Sequence, residues 1–196
     1  GHMVNVGFDT YCQLLEETVQ ELQGQIVDKS DPTIVDINVT AFIPDDWVGS
    51  SEQKMIEYKR LADVKSDIEL DYITEEWKDR FAKPPESVEN LIKLIKIRLA
   101  ATDVKIPLIR ETEDNIRIYT PFSQPEWKII QRILPSEILK RIKFTIAPKS
   151  CTEGKSILLL NNSYMNFNEI FNILTDLFYY MFKTVNEYKI EKKETL

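Results

Sequence analysis

Thr33-Ile34-Val35-Asp36-Ile37-Asn38-Val39-Thr40-Ala41-Phe42-Ile43-Pro44 has a different periodicity from the chain on either side of it. Val35, Ile37, Val39 and Ala41 fall on one side of an extended backbone, with Asp36, Asn38 and Thr40 on the other. Period two marks a half-buried strand over 33–43, ended by Pro44, which has no N–H to donate. Before it, Phe8, Tyr11, Leu14 or Leu15, Val19 and Leu22 recur every three to four residues. That spacing predicts an amphipathic helix over 8–23, closed by Gly24. After it, a turn at Asp45-Asp46 leads into three further helical patterns.

The first of these, from Ser51 to about Val64, places Met55, Tyr58, Leu61 and Ala62 on one face. Ser66-Asp67-Ile68-Glu69 has the form of a capping box opening a second helix to about Phe81, with Leu70, Ile73 and Trp77 inward. Pro84-Pro85 breaks that helix and Pro85 suits the first turn of a third, which carries Val88, Leu91, Ile92, Ile95 and Leu99 as a stripe. Beyond residue 104 the texture changes. Ile106–Arg110 and Asn115–Tyr119 read as a hairpin around Glu111–Asp114. A helical patch over Gln124–Leu134, extended beyond Pro135 by Ser136–Arg141, precedes strands at Ile142–Ala147 and Ser156–Leu160. A last helix, about Phe167–Tyr188, carries Phe171, Leu174, Phe178 and Phe182. The pattern predicts an α+β fold: a helix-rich lobe over 4–104 with one half-buried strand, then a mixed lobe over 105–190 with a short-stranded sheet and a long C-terminal helix. Gly1-His2-Met3 reads as a tag remnant and 191–196 as a frayed tail.

Composition narrows the chemistry. His2 is the only histidine and lies in the tag-like tripeptide. Nucleophilic catalysis by Ser or Cys usually needs a histidine base, so that class is nearly closed. Cys12 and Cys151, far apart, neither form a zinc ligand set nor suggest a secreted disulfide framework, which points to reduced thiols and a cytoplasmic setting. No run approaches the roughly 20 apolar residues of a membrane span. Glu153-Gly154-Lys155-Ser156 resembles the end of a phosphate-binding loop, but Lys149 stands where the leading glycine belongs and Ile157–Leu160 is strand-like. A turn between strands is the better reading. Paired carboxylates remain available for acid–base work, yet most acidic residues on amphipathic helices solvate the outer face.

Charge is unevenly placed. Residues 1–105 hold 12 Lys and Arg against 21 Asp and Glu, whereas residues 106–196 hold 13 against 11. The acidic part repels a phosphate backbone and suits a basic protein partner. In the second part, Lys140, Arg141, Lys143, Lys149 and Lys155 form a candidate nucleic-acid contact, against the simpler reading of a scattered basic surface. Glu75-Glu76-Trp77-Lys78-Asp79-Arg80-Phe81 places Glu76, Asp79 and Arg80 at i, i+3 and i+4, sharing one helical face beside two aromatics. Trp77 and Phe81 read as core. The charged triplet reads equally as an interface and as a local surface pair.

Val6-Gly7-Phe8-Asp9-Thr10-Tyr11-Cys12-Gln13-Leu14-Leu15-Glu16-Glu17 resembles the opening of the C-terminal domain of bacterial transcription-repair coupling factors, the Mfd proteins. Three later blocks follow in the family's order: Ala41-Phe42-Ile43-Pro44-Asp45-Asp46-Trp47, Gln53 through Ala62, and Glu76 through Phe81. Departures are Ala82, where the family usually has Gly, Thr10 for an apolar residue and Lys54 for Arg. Residues 101–196 match in position only.

The resemblance implies a regulatory, non-catalytic segment of a larger ATP-driven DNA translocase that displaces stalled RNA polymerase. ATP and Mg would belong to the upstream motor, with no cofactor or metal in this segment. It further implies an intramolecular partner, the parent's N-terminal UvrB-like module, whose UvrA-binding surface this domain hides. Glu76, Asp79 and Arg80 would be the contacts, and the parent would also engage UvrA and duplex DNA, with no membrane.

Overall fold

The computed structural model describes residues 31–194, so the helix predicted over 8–23, the Val6–Glu17 block and Cys12 lie outside the described residues. The elements run β1 (Ile34–Asp36), α1 (Asp45–Val48), α2 (Ser51–Ala62), α3 (Asp67–Arg80), α4 (Glu86–Asp103), β2 (Leu108–Glu111) and β3 (Ile116–Thr120). They continue with α5 (Gln124–Gln131), α6 (Ser136–Leu139), β4 (Ile142–Ile146), β5 (Ser156–Leu160) and α7 (Phe167–Glu194). This is the expected α+β order, helix-rich first and sheet-bearing second. The strand read over 33–43 pairs only at Ile34–Asp36, although the alternation persists beyond it, with Val35 and Ile37 buried and Asp36 and Asn38 exposed.

Local chemistry explains the boundaries. Gly49 ends α1 at φ +100°, a left-handed conformation that an L side chain rarely adopts, and its N–H closes on the Asp45 carbonyl at 2.8 Å. Ser50 and Ser66 cap α2 and α3, each hydroxyl accepting the backbone N–H three residues on. Glu69 does not complete a reciprocal box at α3. It accepts instead from the N–H of Lys65 at 2.7 Å. The reciprocal box occurs at α5, between Ser123 and Glu126.

Two compact units result, one comprising residues 39–99 and the other residues 31–38 with 100–194. The first has its own core: Ile43, Val48, Tyr58, Leu61, Val64, Leu70, Ile73, Trp77, Val88, Leu91 and Ile95. The second contains a five-stranded sheet of order β1-β2-β3-β5-β4, in which β1 runs parallel to β2 and the other pairings are antiparallel. Register aligns Val35, Ile109, Ile118, Leu158 and Phe144 as one row across all five strands. Cross-strand partners share a face, so this row is a single apolar band. At its β4 end, Trp127 of α5 stacks on Phe144, with centroids 5.9 Å apart and an interplanar angle of 8°. On α7, Ile170, Leu174, Leu177, Phe178 and Met181 are buried. Phe182, expected to share that stripe, is exposed.

Candidate functional site

The face of α3 that carries Glu76, Asp79 and Arg80 rests on a carboxylate contributed by α2. The spacing of Tyr58 and Leu61 is as expected, but the buried face of α2 is completed by Lys54 and Glu57, whereas Met55 turns outward. Lys54 reaches the carboxylate of Asp45 at 2.6 Å, which, together with the Ser51 hydroxyl, holds Asp45 below the usual carboxylate range. The Tyr58 hydroxyl accepts the N–H of Ile43 at 2.9 Å, and burial pushes its own ionisation up. Glu57 is the unexpected residue, since its side chain is wholly inaccessible.

A buried charge survives only when paired and fully hydrogen-bonded, and Glu57 meets both conditions. Its Oε2 accepts the indole N–H of Trp77 at 2.7 Å and a guanidinium N–H of Arg60 at 3.1 Å. Its Oε1 accepts from Gln53 at 3.0 Å and from Arg80 at 3.2 Å. Arg60 also pairs with Glu76, and Arg80 lies 3.5 Å from Glu76. The Arg60 guanidinium beside Glu76 holds that carboxyl below its ordinary value, with Arg80 adding to the effect. Two carboxylates and two guanidiniums thus alternate from the buried Glu57 to the surface.

Of the three residues predicted to act together, Glu76 and Arg80 are tied into this network and Asp79 is not. Asp79 is exposed and forms no ion pair among the described residues. Trp77 is fully buried and Phe81 partly buried, as expected for core residues. Trp47 meets Trp77 edge-on at 5.3 Å and Phe81 at 5.0 Å, and Arg80 stacks over the Phe81 ring at 4.9 Å. The indole N–H of Trp47 donates to the carbonyl of Ala82 at 2.9 Å. Phe81 itself is extended, so α3 stops at Arg80 without a left-handed residue, and Ala82 fits where a glycine was expected. The three sequence blocks at 41–47, 53–62 and 76–81 therefore converge on one cluster.

Sequence reasoning missed Glu57 and Arg60. The available signal was Gln53, Glu57 and Arg60 at i, i+4 and i+7 beside Leu61, one polar edge of α2 adjoining the buried face. The phosphate-loop-like segment is a strand junction, as the simpler reading held. Ser156 begins β5, and the backbone at Gly154 approaches Thr120 so closely that a Cβ would sit 2.8 Å from its carbonyl oxygen. Among the described residues, no group of three or more His, Cys, Asp or Glu is placed to hold a metal, and no helix is long and apolar enough to cross a membrane.

Comparison with known proteins converges with this geometry. The family model of the TRCF domain matches residues 37–128, a span that contains all three blocks and the whole Glu57 network. A transcription-repair-coupling factor of Buchnera aphidicola is 30% identical over 191 residues, covering 91% of this chain and 22% of the relative. That of Bacillus subtilis is 30% identical over 119 residues, 60% of this chain and 10% of the relative. The chain thus spans between a tenth and about a fifth of the length of these relatives. A crystal structure of the C-terminal domain of a transcription-repair coupling factor superposes with a TM-score of 0.59 at 17% identity, covering 78% of this chain and 93% of that one, and so shares the fold. Residues 37–128 are a TRCF domain, and the chain belongs with the C-terminal domains of transcription-repair coupling factors.

Proposed function

We propose that this segment is the autoinhibitory module of its parent, docking through the Glu76, Asp79 and Arg80 face onto the parent's UvrB-like module. Docked, it hides the UvrA-binding surface and restrains the ATP-driven DNA translocase that displaces stalled RNA polymerase. The ATP and Mg chemistry belongs to the upstream motor, and the whole acts in the cytoplasm. One observation supports the reading above the rest: Asp79 is exposed without an ion-pair partner among the described residues, beside Glu76 and Arg80, which the Glu57 network holds in place. A charged group presented on a rigid support loses little entropy on pairing with a basic partner. Release then amounts to a population shift, in which polymerase or DNA engagement favours the undocked state.

Calorimetric titration of the UvrB-like module of the same parent into this chain tests the proposal. Asp79→Lys is the informative variant, because it reverses a surface charge and leaves the network intact. Binding should weaken roughly 10- to 100-fold, as for a charge pair within an interface. Absence of binding, or an Asp79→Lys chain that binds like the parent sequence, would overturn the assignment.

A further inference from the structure

The sheet ends at β4, and that edge has an unusual composition. Asn161 N–H donates to the Arg141 carbonyl at 2.8 Å, and Ala147 N–H to the Lys155 carbonyl at 3.0 Å. These bonds fix the parity of the antiparallel ladder. The backbones of 141, 143, 145 and 147 turn toward β5, and those of Ile142, Phe144 and Ile146 turn away from it. No backbone partner meets the outward groups of these three residues among the described residues. Ile146 is 70% exposed.

The surroundings of the edge are basic within an acidic chain. Residues 136–163 hold five Lys and Arg against two Asp and Glu, while the whole chain has a net charge of −7. Lys140 is paired with Glu137, and Arg141 reaches the Asn161 carbonyl. Lys143, within β4 itself, and Lys149 and Lys155 are exposed and form no ion pair among the described residues. A lysine in an edge strand repels a second copy of the same edge, which would bring the two Lys143 side chains together. It attracts a strand of opposite charge.

We propose that β4 is a docking edge for an extended acidic segment of a partner protein, which adds to the sheet as a sixth strand. Main-chain hydrogen bonds from Ile142, Phe144 and Ile146 hold the incoming strand, and Lys143, Lys149 and Lys155 select its charge. The edge shares no residue with the Asp79 face, and either proposal can fail without the other.

The test uses the 196-residue chain and a capped heptapeptide alternating glutamate and valine, followed by amide hydrogen exchange. Binding should protect the amides of Ile142, Phe144 and Ile146 and leave those of Lys143 and Thr145 unchanged, since the latter already face β5. Lys143→Glu and a rise from 50 to 300 mM salt should each weaken binding about tenfold or more. Ile146→Pro removes one outward donor, and a peptide N-methylated at alternate residues removes the matching donors on the other side without touching the protein. Either change should abolish the protection. The proposal is overturned if the three amides stay unprotected, if a lysine–valine peptide binds equally well, or if the N-methylated peptide still binds. Tighter binding of single-stranded DNA at the same lysines, in competition with the acidic peptide, would also overturn it and assign the edge to nucleic acid.

Discussion

Replacing Glu57 by Gln keeps the shape of the side chain and removes its charge, which isolates what the buried carboxylate contributes. If the amide oxygen accepts from Trp77 and Arg60, the amide nitrogen points donors at Gln53 and Arg80; in the flipped orientation it points them at Trp77 and Arg60. Removing one partner from a fully buried ion pair costs about 3–5 kcal/mol. Here the two arginine side chains are 35% and 39% accessible, and Glu76 remains as a second counter-ion. Water and Glu76 take up part of the loss, so about 2–3 kcal/mol is expected. For a chain of this length, that lowers the melting temperature by roughly 5–10 °C. Urea unfolding in a Trp127→Phe background, where emission comes only from Trp47 and Trp77, reads the helical unit directly. A loss below about 0.5 kcal/mol, the range of an ordinary surface substitution, would refute the idea that Glu57 anchors this face.

Acid should weaken the same unit. Glu76 is held below its ordinary value of 4.5, so on descending from neutral pH the unfolded chain takes up its proton first. The stability it adds is complete above that ordinary value and fades as pH falls through the depressed one. Urea midpoints measured between neutral pH and pH 3 should show the decline, with a shallower slope in Glu76→Gln. Tyr58→Phe removes the acceptor of the Ile43 N–H and should cost about 1–3 kcal/mol, measured by thermal unfolding, because that donor is left buried and unmet. Gly154→Ala drives a methyl group against the Thr120 carbonyl and should cost about 1–3 kcal/mol, with loss of amide protection along β3 and β5.

Much of the fold was legible because period and punctuation agree in this chain. The α3 stripe of Leu70, Ile73 and Trp77, the β2–β3 hairpin and the strands β4 and β5 stand where their patterns placed them. The phase of α2 was misread for a definable reason. Apolar periodicity assigns Met55 inward because it has no way to value a carboxylate whose partners lie on another helix. Glu57 is buried by Trp77 and Arg80, 20 and 23 residues away in sequence. Phe182 was misread on α7 because the buried stripe runs through Leu174, Leu177, Phe178, Met181 and Thr184, which turns Phe182 to the side although it stands four residues from Phe178. At the site, the i, i+3, i+4 relation of Glu76, Asp79 and Arg80 was visible, but the inequality among them was not. Local spacing cannot tell a residue held from below from one left free.

The pairing of β1 has a consequence in time. Thr33 donates its hydroxyl to the carbonyl of Ile106, 73 residues further on, at the start of the β1–β2 contact. During synthesis at about 5–20 residues per second, β1 is complete for roughly 4–15 s before its partner strand exists. The helices of residues 39–99 make their contacts over short separations and close within that interval. β1 is therefore made well before the strand it pairs with, and the helical unit forms while Val35 and Ile37 still wait for the band of apolar side chains they complete.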